Sequence, residues 1–74
     1  MDKEFVKRFA EKYEDIRDLL NKHQELEKEV EELNKKRYLT VEDEKRLKLL
    51  KKEKLQIKEE IYALIKKYEG VEID

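Results

Sequence analysis

Apolar side chains return along this chain at alternating steps of three and four residues. From Phe5 the series runs through Phe9, Ile16, Leu19, His23, Leu26, Val30 and Leu33. From Leu47 it runs through Leu50, Lys54, Ile57, Ile61, Leu64 and Tyr68. A stripe of this period is what one long helix presents to another. Folded back near Tyr38, the two stripes pair: Val30 meets Leu47, Leu26 meets Leu50, Leu19 meets Ile57, Ile16 meets Ile61 and Phe9 meets Tyr68. Each pair of residue numbers adds to 76 or 77. The polar members His23 and Lys54 land opposite each other. The pattern predicts an all-α fold in a single domain over residues 1–74, an antiparallel two-helix hairpin of coiled-coil type. Helix 1 is expected over about 3–36, the turn over about 37–40 and helix 2 over about 41–69.

The expected ends carry their own chemistry. Asp2 can cap the first helix, and Lys35, Lys36 and Arg37 place positive charge at its C-terminus, where the helix dipole favours it. Thr40 is an N-cap candidate for the second helix, followed by Glu42, Asp43 and Glu44 in the first turn. Gly70 offers the left-handed residue that ends a helix, with Val71 positioned to fold back on Ile65 or Lys66.

A second set of apolar residues lies off the seam: Val6, Tyr13 and Leu20 on the first helix, and Leu55, Tyr62 and Ile65 on the second. Because the helices run antiparallel, both sets fall on one side of the hairpin. A flank of this kind predicts self-association, most simply a homodimer closing a four-helix bundle. Size points the same way. A core in a 74-residue chain seldom supplies more than ~3–5 kcal/mol. There is no cysteine to form a disulfide, and a single histidine makes a structural metal an unpromising alternative.

Charged residues make up 53% of the chain, about twice the usual ~25%, and they are unevenly spread. Residues 1–34 carry 7 basic and 11 acidic groups, residues 35–58 carry 10 and 4, and residues 59–74 carry 2 and 5. One end of the hairpin is therefore positive. Lys35, Lys36, Arg37, Lys45, Arg46, Lys48, Lys51 and Lys52 gather there with Tyr38 available to stack, a minimal nucleic-acid footprint. The competing expectation is that Glu25, Glu27, Glu29, Glu31 and Glu32 on the facing helix take up this charge as interhelical ion pairs.

Catalytic and cofactor chemistry finds little support. The chain has no serine, no glycine-rich phosphate loop and no nucleophile–base motif. His23 lacks a Glu-x-x-His partner set, and is read with Lys54 as a polar layer inside the seam that fixes register. Paired carboxylates such as Glu14/Asp15, Glu31/Glu32 and Glu59/Glu60 belong to solvated faces. No catalytic residue, metal ligand or cofactor is expected. A dimeric all-helical enzyme of the chorismate-mutase type would need several inward-pointing cations, for which Lys12, Arg17 and Lys54 are the candidates. No apolar run approaches the ~18 residues of a membrane span, and the N-terminus lacks a signal-peptide pattern. A cytoplasmic location is expected.

The segment Leu50-Lys51-Lys52-Glu53-Lys54-Leu55-Gln56-Ile57-Lys58-Glu59-Glu60-Ile61 resembles the signature Leu-Lys-Lys-x-Lys-Leu-x-Leu-Lys-Asp-Glu-Ile of the YdcH-like family, short bacterial proteins whose domain function is not established. Ile57 and Glu59 stand where that pattern has Leu and Asp. His23 and Leu26 match the family's His-x-x-Leu step, and Glu42-Asp43-Glu44 match its acidic lead into the leucine run. The resemblance covers about residues 16–65. It implies a cytosolic, oligomeric helical hairpin and supplies no catalytic residues. The expected function is protein–protein contact and self-association; the alternative is a nucleic-acid- or ribosome-associated accessory using the basic fold-back.

Overall fold

A computed structural model describes residues 3–70 of the chain. The Asp2 cap and the fold-back of Val71 lie outside the described residues. Three helices follow one another: α1 Lys3–Lys12, α2 Glu14–Asn34 and α3 Val41–Glu69. Helices α2 and α3 form the antiparallel hairpin. Its seam buries Ile16, Leu26, Val30 and Leu33 against Leu50, Ile57 and Ile61, with Leu19, Leu47 and Leu64 partly covered.

The expected first helix is two helices. Tyr13 adopts an extended backbone, φ −122° and ψ 123°, and the chain turns there. Helical bonding holds on either side, with the Tyr13 N–H donating to the Phe9 carbonyl at 2.8 Å and the Arg17 N–H to the Tyr13 carbonyl at 3.1 Å. The bonds that would join Glu14, Asp15 and Ile16 to residues 10, 11 and 12 are missing.

Dimensions show where α1 goes. The 29 residues of α3 measure ~43 Å at 1.5 Å per residue, and the molecule is 44 Å long. Tyr13 is level with Tyr68, near the end of α3. A straight continuation would therefore carry α1 some 15 Å beyond α3. Instead it folds back along α2, where Lys7, Ala10 and Glu11 share a groove with Arg17, Leu20, Asn21 and Gln24.

Burial explains the bend. Val6 is 0% exposed and Ala10 nearly so, and both join one core with Ile16, Ile61 and Ile65. The one-sided flank is thus covered in part by the chain's own N-terminal helix, at Val6 and Ile65. Phe5 and Phe9 pack edge to face across one turn of α1, 5.0 Å between centroids, and are half-buried rather than in the seam. The expected pairing of Phe9 with Tyr68 is replaced by Tyr13 on Tyr68, because the seam of helix 1 stops at the bend.

The connection begins two residues earlier than expected, since α2 ends at Asn34. Lys36 then reaches across the turn to Asp43 at 3.1 Å. Thr40 caps α3: its hydroxyl accepts from the Asp43 N–H at 3.1 Å, and the Asp43 carboxylate accepts from the Thr40 N–H at 3.2 Å, a reciprocal capping box. Gly70 closes α3 at φ 66°, its N–H on the Lys66 carbonyl at 2.9 Å.

Candidate functional site

The basic end of the hairpin keeps more of its charge than the facing glutamates suggest. Arg46 pairs with Glu29 at 2.9 Å, Lys54 with Glu27 at 3.8 Å and Lys36 with Asp43. Lys35, Arg37, Lys45, Lys48, Lys51 and Lys52 make no ion pair among the described residues. Of the five glutamates expected to absorb this charge, Glu27 and Glu29 do so.

Helix periodicity gathers these cations. At ~100° per residue, Val41, Lys45, Lys48 and Lys52 lie within about 60° of one another on the side of α3 turned from the core. Leu49 and Leu55 flank them, 59% and 54% exposed, and Val41 is 68% exposed. Tyr38, at the tip of the fold-back, is 83% exposed. The outer face of α3 is therefore a lysine row between leucines, with an aromatic ring at its end.

The off-seam flank divides. Val6 and Ile65 are fully buried within the chain, Tyr13, Leu20 and Tyr62 are half-buried, and Leu55 is exposed. His23 and Lys54 are both half-buried, and the Lys54 ammonium is turned to Glu27. Lys12 and Arg17 sit at the α1–α2 junction, whereas the Glu27 partner of Lys54 lies ten residues on from Arg17, ~15 Å along α2. These three cations are not brought together. Among the described residues no group of His, Asp and Glu is placed to hold a metal ion, no polar side chain is buried, and no helix is long and apolar enough to cross a membrane.

Residues 16–65 match the family described as protein of unknown function (DUF465), the YdcH-like family. The chain belongs to this family. No curated protein and no solved structure matches it. The DUF465 match covers the α2–α3 hairpin; α1 and the Tyr13 bend precede it.

That bend carries a polar clasp that sequence reasoning missed. The Tyr13 hydroxyl donates to the Glu69 carboxylate, which also takes the Lys12 ammonium at 3.1 Å. The Tyr68 hydroxyl donates to the Asp15 carboxylate. Four groups of this clasp are shifted. The Glu69 carboxyl is held below the usual range by the Tyr13 hydroxyl first and Lys12 next. The Tyr13 and Tyr68 phenols are raised, chiefly by their hydrogen bonds to Glu69 and Asp15. Lys12 is raised by its bond to Glu69. At the other end, the Thr40 N–H and then Lys36 lower Asp43. The Val6–Tyr13–Leu20 stripe was the one sequence signal for this corner, and it marked a surface to be covered without showing that α1 covers it.

Proposed function

We propose that the protein is a cytoplasmic helical interaction module rather than an enzyme, acting without a cofactor through protein–protein contact on the outer face of α3. The observation that carries this reading is the exposure of Leu49 and Leu55 beside Lys45, Lys48 and Lys52, which have no ion pair among the described residues. Exposed leucines alone are ordinary; leucines bordering an uncompensated charge row complement a helix with carboxylates on one side. The chain has such a helix. Glu14, Asp18, Glu25 and Glu32 are exposed and lie within about 40° of one another on α2. A homodimer setting α2 of each copy against α3 of the other brings four long helices together.

Sedimentation equilibrium tests this. The wild-type chain is expected to dimerise, more weakly as salt screens the pairing. The Leu49→Glu/Leu55→Glu variant should stay folded and lose the association made through the outer face of α3. A wild-type mass that stays monomeric at every concentration sinks the homodimer.

A second reading is favoured by the exposure of Tyr38 beside Lys35 and Arg37. A ring that projects from a cationic tip suits stacking on an unpaired base, as in a nucleic-acid- or ribosome-associated accessory. Single-stranded RNA binding that falls steeply with salt supports it, with a slope of roughly −0.7 per phosphate contacted. Absence of binding at low salt removes it.

A further inference from the structure

We propose that the chain also forms a domain-swapped dimer, in which Tyr13 joins α1 and α2 into one continuous helix and each α1 packs on the hairpin of the other copy. This rests on the Tyr13 bend and not on the outer face of α3.

The bend is not written into the local sequence. Glu11-Lys12-Tyr13-Glu14-Asp15 contains no glycine or proline, and Tyr13 stands at the α2 N-cap without a side-chain cap bond. The helical bonds just before and just after it are already made. Returning the Tyr13 backbone to helical values would restore the three missing bonds from Glu14, Asp15 and Ile16. What opposes this within one copy is the burial of Val6 and Ala10, which a straight helix would carry past the end of α3 into water.

A second copy can supply that burial. Within one copy, residues 7, 10 and 11 lie beside residues 17, 20 and 24, an antiparallel contact centred near residues 14–15. A two-fold axis through that centre lets two straight helices reproduce it twice, α1 of each lying along α2 of the other. The interface is then self-complementary, as a two-fold dimer requires. The Tyr68–Asp15 bond lies on the hairpin side of the bend and stays within each copy; the Tyr13 contacts with Tyr68 and Glu69 sit on the hinge residue itself and change with it. Exchange of an identical element is a low-cost route to dimers because closed and swapped forms share their contacts.

The swapped form is long. The two Asn34 residues would stand ~60 Å apart, counting 20 residues from the axis to each at 1.5 Å, against 44 Å for one whole copy.

The test uses the Leu49→Glu/Leu55→Glu background, so that association through α3 is already removed. With no cysteine in the chain, Lys7→Cys and Gln24→Cys give a single pair for a bismaleimide cross-linker. Mixing isotopically light and heavy chains then separates links within a chain from links between chains. Refolding at millimolar concentration is expected to give interchain links and a scattering profile longer than one copy; micromolar refolding should give intrachain links. Tyr13→Ala, which favours continuous helix, should raise the dimer association constant several-fold, and Tyr13→Gly should lower it. The proposal is overturned if links stay intrachain at every concentration, or if Tyr13→Ala leaves the chain monomeric. Loss of the α3-mediated dimer in the background variant bears only on the outer face of α3.

Discussion

The rings of Tyr13 and Tyr68 stack with 4.5 Å between centroids and 25° between planes, where the α1–α2 junction meets the last turn of α3. Aromatic stacking adds to the burial that each ring provides, and here it fixes the level at which the chain turns. Tyr68→Ala should lower the melting temperature by several degrees and loosen α1, seen as faster amide exchange at residues 3–12. Tyr68→Phe keeps the stack and loses only the bond to Asp15, so its effect should be the smaller. Equal losses in the two variants would assign the role to the hydroxyl.

Stability should form a plateau in pH that falls at both ends. Asp43 and Glu69 are lowered in the folded state. Their contribution is present above their unfolded values, near 3.8 and 4.5, and is lost as pH falls through the folded ones. Tyr13, Tyr68 and Lys12 are raised. Their contribution is complete below the unfolded values near 10.0 for tyrosine and 10.5 for lysine, and is lost as pH rises through the folded ones. Thermal melts across pH check both limbs. The Tyr13→Phe/Tyr68→Phe variant should remove the tyrosine part of the alkaline limb, keep the part that Lys12 draws from Glu69, and leave the Asp43 part of the acid limb in place.

Core and surface positions of α3 should separate cleanly. Ile61 is fully buried, and Ile61→Ala is expected to cost ~2–5 kcal/mol, enough to unfold much of a chain this small. Leu55→Ala on the exposed side should change stability by no more than about 0.5 kcal/mol. Urea unfolding gives both values.

The start of α3 depends on one hydroxyl. Thr40→Ala removes the acceptor for the Asp43 N–H and should cost ~1 kcal/mol. Thr40→Ser keeps the oxygen and should recover most of that loss. Fraying should appear as faster amide exchange at residues 42–44, with little change near Ile61.

The hairpin was legible in the sequence because heptad spacing sets Ile16, Leu19, Leu26, Val30 and Leu33 on one stripe and Leu47, Leu50, Ile57, Ile61 and Leu64 on another. The bend at Tyr13 was not legible. Nothing between Lys3 and Asn34 disfavours helix, and the cause lies elsewhere in the chain, in an exposed flank near Ile65 that Val6 and Ala10 cover. Ala10 escaped notice because a small side chain adds little to an apolar pattern, yet its size is what lets α1 approach α2. The basic end is a cluster already in the sequence, but ion-pair geometry decides how much of its charge stays uncompensated, and residue spacing alone does not give that. Likewise no residue near Glu69 in the sequence announces its partners, and it is the fold that brings it to Lys12 and Tyr13.

Because α3 runs the whole length of the molecule, it separates the Tyr38 tip from Gly70 by ~40 Å. A copy attached by its C-terminus to a bead, a vesicle or a fusion partner would hold the lysine-bordered tip at its outermost point. Attached through Tyr38 instead, it would bring that tip against the support. The direction of tethering thus becomes a switch the experimenter can set, offering or hiding the cationic end without altering a residue.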